Sequence, residues 1–326
     1  MGNGELENAG KMPALPGSRP VSNSNRDPSF PMKPAAPSFR LVLLIFLAIA
    51  SLAAETRAED HPRRYVFLCF GQSNMEGFPG IEEQDRGPVD ERFQVLAPVY
   101  FPDPKREKGR WYPAVPPLCR PSAGLGPADY FGRTLVSRLP ASVSVGVVNV
   151  AIGGCKIELF EKETYPAYVA TAPRWMTNTI AKYGGNPYAH LVEMARIAQR
   201  DGVIKGILLH QGESNSGDKE WPRKVKGIYE NLLRDLGLEA KDVPLLVGEL
   251  VAADQNGACA GMNSIIAGLP AVIPTAHVVS SAGCVARRDR LHFSAAGYRE
   301  LGRRYAEAML PLLGIQPAAA PKPTSP

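Results

Sequence analysis

The feature that most constrains the fold is a series of short apolar runs, three of which end in glycine-containing polar motifs. The runs lie at 65–70, 143–152, 203–210, 243–251 and 276–281. Short runs that are apolar on both faces are typical of strands in a parallel sheet that is covered on both sides. The chain is therefore predicted to build such a sheet.

Helical periodicity fills stretches between these runs. Apolar residues recur at spacings of three and four in 186–200 and in 222–237, and a last helix is predicted from Ser294, a good N-cap, to Gly314. Strands that alternate with helices predict an α/β fold, a three-layer α/β/α sandwich with a mostly parallel sheet. Ligands bind such folds at the carboxyl ends of the strands, so we expect the polar motifs to converge there.

The N-terminal residues 1–58 are predicted to be an export signal rather than part of the fold. Residues 1–39 are rich in Pro, Gly, Ser and Asn, which favours disorder. An apolar core at 41–54 follows Arg40, and a small-x-small cleavage sequence stands at 56–58. This layout is typical of a secretory signal peptide, so the mature protein is expected to be secreted or periplasmic.

Two points about this segment stay open. The apolar core could instead be a membrane anchor, although it is too short to span a bilayer comfortably. Translation could begin at Met32 instead of Met1, which would place the basic flank close to the start of the chain.

The rest of the 326-residue chain predicts one domain at 59–314 and a Pro/Ala-rich disordered tail at 315–326. Apolar residues make up 44%, which is enough for a substantial core. The net charge is only +5 and no block of Lys and Arg occurs, so nucleic acid is not expected as a partner. No stable membrane partner is expected once the signal is cleaved.

The five cysteines cannot all pair, because their number is odd. Cys259 and Cys284 are the best candidates for a disulfide, since both lie in Gly/Ala-rich sequence and an exported protein can oxidise its thiols. The sequence contains no Cys/His spacing typical of zinc, and no metal or cofactor is predicted.

The long segment 79–125 is Pro-rich and poorly periodic. We interpret it as an elaborated loop over the mouth of the ligand crevice, where substrate specificity would lie. A plain connecting loop is the alternative.

Ser73 is the candidate nucleophile. It follows a predicted buried strand and the turn residue Gly71, which places it at the crevice and at the start of a helix. Free backbone N–H groups at a helix start favour the negative charge that develops in acyl transfer. A serine that merely caps the helix is the alternative.

Asp289 and His292 are the candidate base pair. A serine nucleophile needs a base, and the base needs an acceptor that fixes its tautomer. An Asp and a His three residues apart in a loop can meet this need, with the second ring nitrogen facing the serine. His210, at the end of a predicted strand, is the rival base, and a simple surface ion pair is the alternative for the two residues.

Two further motifs offer hydrogen-bond donors. Gly154 ends a predicted strand, and its N–H could point at a developing oxyanion, although a tight turn explains the pair of glycines equally well. Gln211 follows another strand and offers a side-chain amide, next to Glu213, which could orient neighbouring groups. The alternative is that Glu213 and Ser214 simply open a loop.

Taken together, the motifs resemble the SGNH hydrolase superfamily. The blocks are GQSNM at 71–75, NVAIGG at 149–154, HQGES at 210–214 and DRLHF at 289–293. Within the superfamily they are similar to carbohydrate esterase family six, the sialate O-acetylesterase-like group. The similarity covers 65–313, nearly the whole predicted domain.

The resemblance implies a flavodoxin-like fold and the hydrolysis of acetyl esters on polysaccharide, typically acetylated xylan, without a cofactor. A sialate or other glycan O-acetylesterase and an inactive carbohydrate-binding relative are the alternatives. The resemblance implies Ser73 as nucleophile, His292 as general base and Asp289 as the residue that orients it. It also implies an oxyanion hole made by the backbone N–H groups of Ser73 and Gly154 and by the side chain of Gln211.

Overall fold

A seven-stranded sheet forms the centre of the computed structural model, which describes residues 63–316. In chain order the strands are β1 (Arg63–Gly71), β2 (Phe93–Leu96), β3 (Phe101–Pro102), β4 (Lys105–Arg106), β5 (Trp111–Pro113), β6 (Val143–Ala151), β7 (Val203–His210), β8 (Leu245–Gly248) and β9 (Ala276–Val279). The sheet order is β5-β2-β6-β1-β7-β8-β9, while β3 and β4 pair separately. Only the β2–β5 pair of the large sheet is antiparallel.

Helices and single turns connect the strands. The α-helices are α1 (Ser73–Glu76), α2 (Glu83–Arg86), α3 (Pro127–Arg138), α4 (Tyr165–Thr171), α5 (Arg174–Ala181), α6 (Pro187–Ala198), α7 (Trp221–Leu236), α8 (Asn263–Ile266), α9 (Leu269–Val272) and α10 (Ala295–Leu312). Short 3-10 turns lie at Ile157–Phe160, Glu213–Asn215, Ala240–Asp242, Ala253–Gln255 and Ala260–Met262.

The sheet is covered on both faces. Alternate side chains of β1 point to opposite sides, so Leu68 belongs to one core cluster and Phe67 to the other. Helices α6 and α7 pack on the Leu68 side, whereas α3 and α10 pack on the Phe67 side. This arrangement confirms the predicted three-layer α/β/α sandwich with a mostly parallel sheet.

The predicted strands and helices outside 79–125 are present with small shifts of their ends. The last helix begins after Ser294, whose side chain accepts a hydrogen bond from the backbone N–H of Gly297, as a capping serine should. Leu312, the last residue of this helix, is exposed.

The prediction that 79–125 is a loop over the crevice mouth is wrong for the part that forms strands. β2 and β5 extend the main sheet, and Phe93 and Val95 are fully buried in it. Strands of three or four residues are too short to show a period of two, which explains why the sequence pattern missed them.

The predicted Cys259–Cys284 disulfide is also wrong. Both cysteines are free thiols. Cys259 packs against the core cluster on one face of the sheet, and Cys284 is buried in the cluster on the other face. The two thiols therefore belong to different core clusters.

The predicted signal peptide at 1–58 and residues 317–326 of the predicted tail lie outside the described residues and stay predictions. Among the helices of residues 63–316, none has the length and apolar character that crossing a membrane requires.

Strand β1 lies between β6 and β7, at the topological switch point of the sheet. Gly71 at its end pairs with Ala151 of β6 and with His210 of β7, so the three strands end at the same level. At Gly71 the φ angle is +145°, and a Cβ atom would collide with the carbonyl oxygen of His210. Glycine is therefore required there, and the polar motifs that follow the three strands meet at one edge.

The contact between α3 and α10 generates a first prediction. A Cβ atom on Gly302 of α10 would collide with Pro127 and Tyr130 of α3, whereas Gly227 on the exposed face of α7 has nothing within 4 Å. We expect Gly302→Ala to lower the free energy of unfolding by about 1–3 kcal/mol through overpacking. The matched variant Gly227→Ala should raise it by about 0.5–1 kcal/mol through helix propensity. Urea denaturation measures both, and a stabilising Gly302→Ala would contradict the close helix contact.

Candidate active site

A cleft of about 410 Å³ opens at the carboxyl ends of β1, β6 and β7. This is the edge at which ligands bind open parallel sheets. Its volume lies in the range of small-molecule sites. The cleft is lined by Gln72, Ser73, Glu76, Gly77, Phe78, Arg120, Gly153, Gly154, Trp175, Glu213, Ser214, Leu291 and His292.

Ser73 meets His292 in this cleft. Ser73 is the first residue of α1, two positions after the last residue of β1, and its Oγ lies 2.9 Å from Nε2 of His292. The two residues are 219 positions apart in the chain. Within residues 63–316, the backbone N–H of Ser73 donates no hydrogen bond to another group. The structure thus brings the candidate nucleophile and base into contact, with a free donor beside them.

Asp289 holds the other side of the imidazole. Its Oδ2 lies 3.1 Å from Nδ1 of His292, and its Oδ1 accepts the backbone N–H groups of Leu291 and His292 at 2.9 Å each. Partial burial opposes ionisation of this carboxyl, but the hydrogen bonds outweigh burial and lower the pKa of Asp289. A carboxylate at Nδ1 keeps the proton on that nitrogen, so Nε2 accepts the proton of the Ser73 hydroxyl.

Phe78 covers the face of the imidazole. The two rings are stacked with their centroids 3.7 Å apart and their planes 9° from parallel. The guanidinium of Arg287 lies 5.3 Å from the centroid of the Phe78 ring. This stack restricts rotation of the His292 side chain. No periodic pattern marks Phe78 in the sequence, and its role was missed for that reason.

A buried polar cluster fixes the loop that carries His292. The side-chain Nδ2 of Asn74 donates to the carbonyl oxygen of Leu291 at 2.9 Å and also to the carboxyl of Glu213. The hydroxyl of Tyr298 donates to Oδ1 of Asn74. Asn74 is fully buried next to Ser73, so one residue ties the start of α1 to the loop before α10. Its place inside the GQSNM block was the signal for this role.

Glu76 and Arg120 form the floor on the β6 side. The Glu76 carboxylate accepts the backbone N–H of Gly153 and pairs with the guanidinium of Arg120. Both side chains are mostly buried, so their charges are compensated within the wall of the cleft. Arg120 is the part of segment 79–125 that lines the cleft.

Gly154 and Trp175 also line the cleft. The backbone N–H of Gly154 has no acceptor within the described chain, and its φ of +70° favours glycine. A Cβ atom at this position would lie 3.0 Å from the Trp175 ring. Trp175 lines the cleft and is 57% exposed, so its indole is available to pack on a substrate ring.

Gln211 does not reach the cleft, and its prediction as a direct oxyanion donor is not supported by its position. The side chain is fully buried, and its Nε2 donates to Gln72 Oε1 at 3.0 Å, Asn215 Oδ1 at 2.7 Å and the Cys155 carbonyl at 3.3 Å. Its Oε1 accepts the indole N–H of Trp221. A fully bonded amide in the core has no proton left for a ligand.

His210, the rival base, is also buried. It lies below the cleft in van der Waals reach of Phe293 and with Nδ1 3.4 Å from the Tyr305 hydroxyl. Burial lowers the pKa of His210 to about 3. The neighbouring Glu213 carboxyl is affected in the opposite sense, because burial raises its pKa to about 7.

The buried Glu213 carboxyl generates a second prediction. Its pKa rises from 4.5 to about 7 on folding, so the folded state is favoured by protonation and loses stability as the pH rises from 4.5 through 7. Glu213→Gln keeps an acceptor for Asn74 and removes the titration. We compare the unfolding free energy of the variant with that of the wild type at two pH values. The difference should be about 1–3 kcal/mol more favourable to the variant at about pH 8 than at about pH 5.

Denaturation of both proteins at the two pH values measures this difference. His210, whose pKa burial lowers, is present in both proteins. Its contribution to the pH dependence of stability therefore cancels when the two proteins are compared. A stability difference that does not change with pH would contradict a buried carboxyl that titrates near neutrality.

Three solved structures share this architecture. A protein of Arabidopsis thaliana is 23% identical, with a TM-score of 0.58, and the match covers 77% of this chain and 98% of that one. The structure of NanS is 19% identical with a TM-score of 0.57, covering 78% of this chain and 98% of that one. A carbohydrate acetylesterase from Xanthomonas citri is 19% identical with a TM-score of 0.50, covering 75% and 55% of the two chains. At these identities the likeness shows the fold.

The sequence also matches a protein-family model over residues 63–311. The model is described as carbohydrate esterase, sialic acid-specific acetylesterase. The matched range spans all four blocks on which the resemblance to this group was based, and that resemblance is confirmed. The chain belongs to the carbohydrate esterase family of sialic acid-specific acetylesterases.

Proposed function

We propose that this protein is an exported serine esterase that removes O-acetyl groups from glycans. The observation that carries the proposal is the 2.9 Å contact between Ser73 Oγ and His292 Nε2 inside the cleft. The Asp289 carboxylate on the far side of the imidazole completes the arrangement that acyl transfer needs. Family membership supports an acetyl ester as the bond that is broken.

The geometry allows each step to be assigned to a residue. His292 takes the proton of Ser73 as Oγ attacks the acetyl carbonyl carbon, and the carbonyl electron pair moves onto oxygen. The free backbone N–H groups of Ser73 and Gly154 stabilise that oxyanion. The sugar hydroxyl leaves with the proton from His292, and water then hydrolyses the acetyl-enzyme by the same steps in reverse.

Two substrates are candidates: acetylated xylan, which the sequence resemblance implies, and O-acetylated sialic acid. The family description favours sialic acid. So do two arginines: Arg120 lines the cleft, and the guanidinium of Arg287 lies 5.3 Å from the centroid of the Phe78 ring, which also lines it. A guanidinium binds a carboxylate well, although Glu76 and Asp289 already compensate part of this charge.

Export rests on the N-terminal sequence. Arg40, the apolar core at 41–54 and the small-x-small sequence at 56–58 have the layout of a secretory signal. A glycan outside the cytoplasm fits this location.

A third prediction tests the assignment of the nucleophile. Ser73→Ala should abolish the hydrolysis of p-nitrophenyl acetate, because no other hydroxyl contacts His292 within the described chain. Asp289→Asn should lower kcat by about 10²–10⁴-fold, since the imidazole loses the carboxylate that fixes its tautomer. Ser137→Ala is the matched control: this serine is exposed on α3, and its removal should leave the rate unchanged. Turnover by Ser73→Ala at the wild-type rate would exclude the proposal.

The substrate is identified by comparing kcat/KM for acetate release from acetylated xylooligosaccharides and from O-acetylated sialic acid. Faster release from the neutral oligosaccharide supports xylan as the substrate. Faster release from sialic acid, reduced by Arg120→Met, supports the second candidate.

A further inference from the structure

The side chain of Gln72 has its oxygen fixed by several donors, while its nitrogen is left free. Gln72 Oε1 accepts the Nε2 proton of Gln211 at 3.0 Å, the backbone N–H of Ser214 at 3.3 Å and that of Gly212 at 3.5 Å. Three N–H donors converge on this atom, so it must be the oxygen of the amide and not the nitrogen. The orientation of the side chain is thereby settled by its neighbours.

The Nε2 of Gln72 has no acceptor within residues 63–316, and it is not sealed from solvent. The other polar groups of Gln72 are in use, since its backbone N–H donates to His210 and its carbonyl accepts from Met75 and Glu76. The residue lines the cleft directly before Ser73. The amide N–H₂ is thus the one polar group of Gln72 that remains for a ligand.

Gln211 stands behind Gln72 and not beside the cleft. Its amide protons are bonded to Gln72, Asn215 and Cys155, and its oxygen is bonded to Trp221. This set of bonds holds Gln211 still, and Gln211 in turn holds the oxygen of Gln72. A proton of Gln211 could reach a ligand only if these buried bonds broke, which costs free energy.

We propose that Gln72, and not Gln211, supplies the side-chain donor of the oxyanion hole, and that Gln211 is a positioning residue that aims it. The inference rests on the proposed function, because it names a third donor for the oxyanion that forms when Ser73 Oγ bonds to the acetyl carbon. The hole then consists of the backbone N–H groups of Ser73 and Gly154 and the Nε2 of Gln72. The donor is preorganised, since its amide is already fixed before a substrate binds.

Two substitutions of Gln72 separate a donor from a merely structural residue. Gln72→Glu retains an acceptor for Gln211, Gly212 and Ser214 but replaces the N–H₂ with oxygen. Gln72→Met removes donor and acceptor without adding charge. If Nε2 stabilises the oxyanion, both variants should lose about 10²–10³-fold in kcat for p-nitrophenyl acetate with little change in KM.

The other outcomes overturn the proposal. A lower kcat in Gln72→Met alone means that only the acceptor matters. A lower kcat in Gln72→Glu alone means that only the added charge matters. An unchanged kcat in both variants means that Gln72 has no role. Should Gln72→Met fail to fold in a thermal melt, the pH profile of kcat/KM for Gln72→Glu decides. A lower kcat with an unmoved profile supports the donor, whereas a displaced profile shows that the charge acts through His292.

Gln211→Met provides the comparison with the original assignment. The backbone N–H groups of Gly212 and Ser214 still hold Gln72 Oε1 in this variant, so its loss of kcat should be smaller than that of Gln72→Met. A larger loss in folded Gln211→Met would return the donor role to Gln211. Wild-type protein and Ser73→Ala are assayed in parallel: equal rates in these two mean that the proposed function itself fails, which is distinct from failure of the Gln72 assignment.

Discussion

The hydrogen bond between Ser73 and His292 is the interaction on which the rest of the site depends. It joins Ser73, at the start of α1, to a loop residue 219 positions later, so contacts between sequence neighbours cannot hold it in place. Its geometry is set by the sheet, which ends β1, β6 and β7 at one level, and by Asn74, which binds the loop through the Leu291 carbonyl. Distortion of either support would move the imidazole away from the hydroxyl.

Polar groups buried beneath the cleft hold the residues of the site in position. Asn74, Glu213 and Tyr298 form one cluster below His292, and Gln72 and Gln211 form a second on the β7 side of Ser73. Such groups reduce stability unless each is hydrogen-bonded, and within residues 63–316 one oxygen of Glu213 has no partner. Their presence in the core is consistent with selection for a fixed site at some cost to stability.

Much of this arrangement could be predicted from the sequence. The central strands show as short apolar runs, and the rule that ligands bind at the carboxyl edge of parallel strands brings Ser73 and Gly154 into one cleft. His292 was predicted to face Ser73 because a serine nucleophile needs a base. The missed features depend on tertiary contacts. β2 and β5 are too short to show a pattern, and the stack of Phe78 on His292 joins distant segments. The burial of Gln211 behind Gln72 was also missed, because residue type alone does not reveal which amide side chain faces the cleft.

Covalent labelling tests the central contact most directly. The wild-type protein is treated with a fluorophosphonate, which bonds only to a serine oxygen activated by a neighbouring base, and the modified peptide is located by tandem mass spectrometry. Labelling is expected on Ser73, and it should be lost in His292→Ala. Label on another residue of the cleft, such as Ser214, or label on Ser73 that persists at the same rate in His292→Ala, would contradict activation of Ser73 by His292.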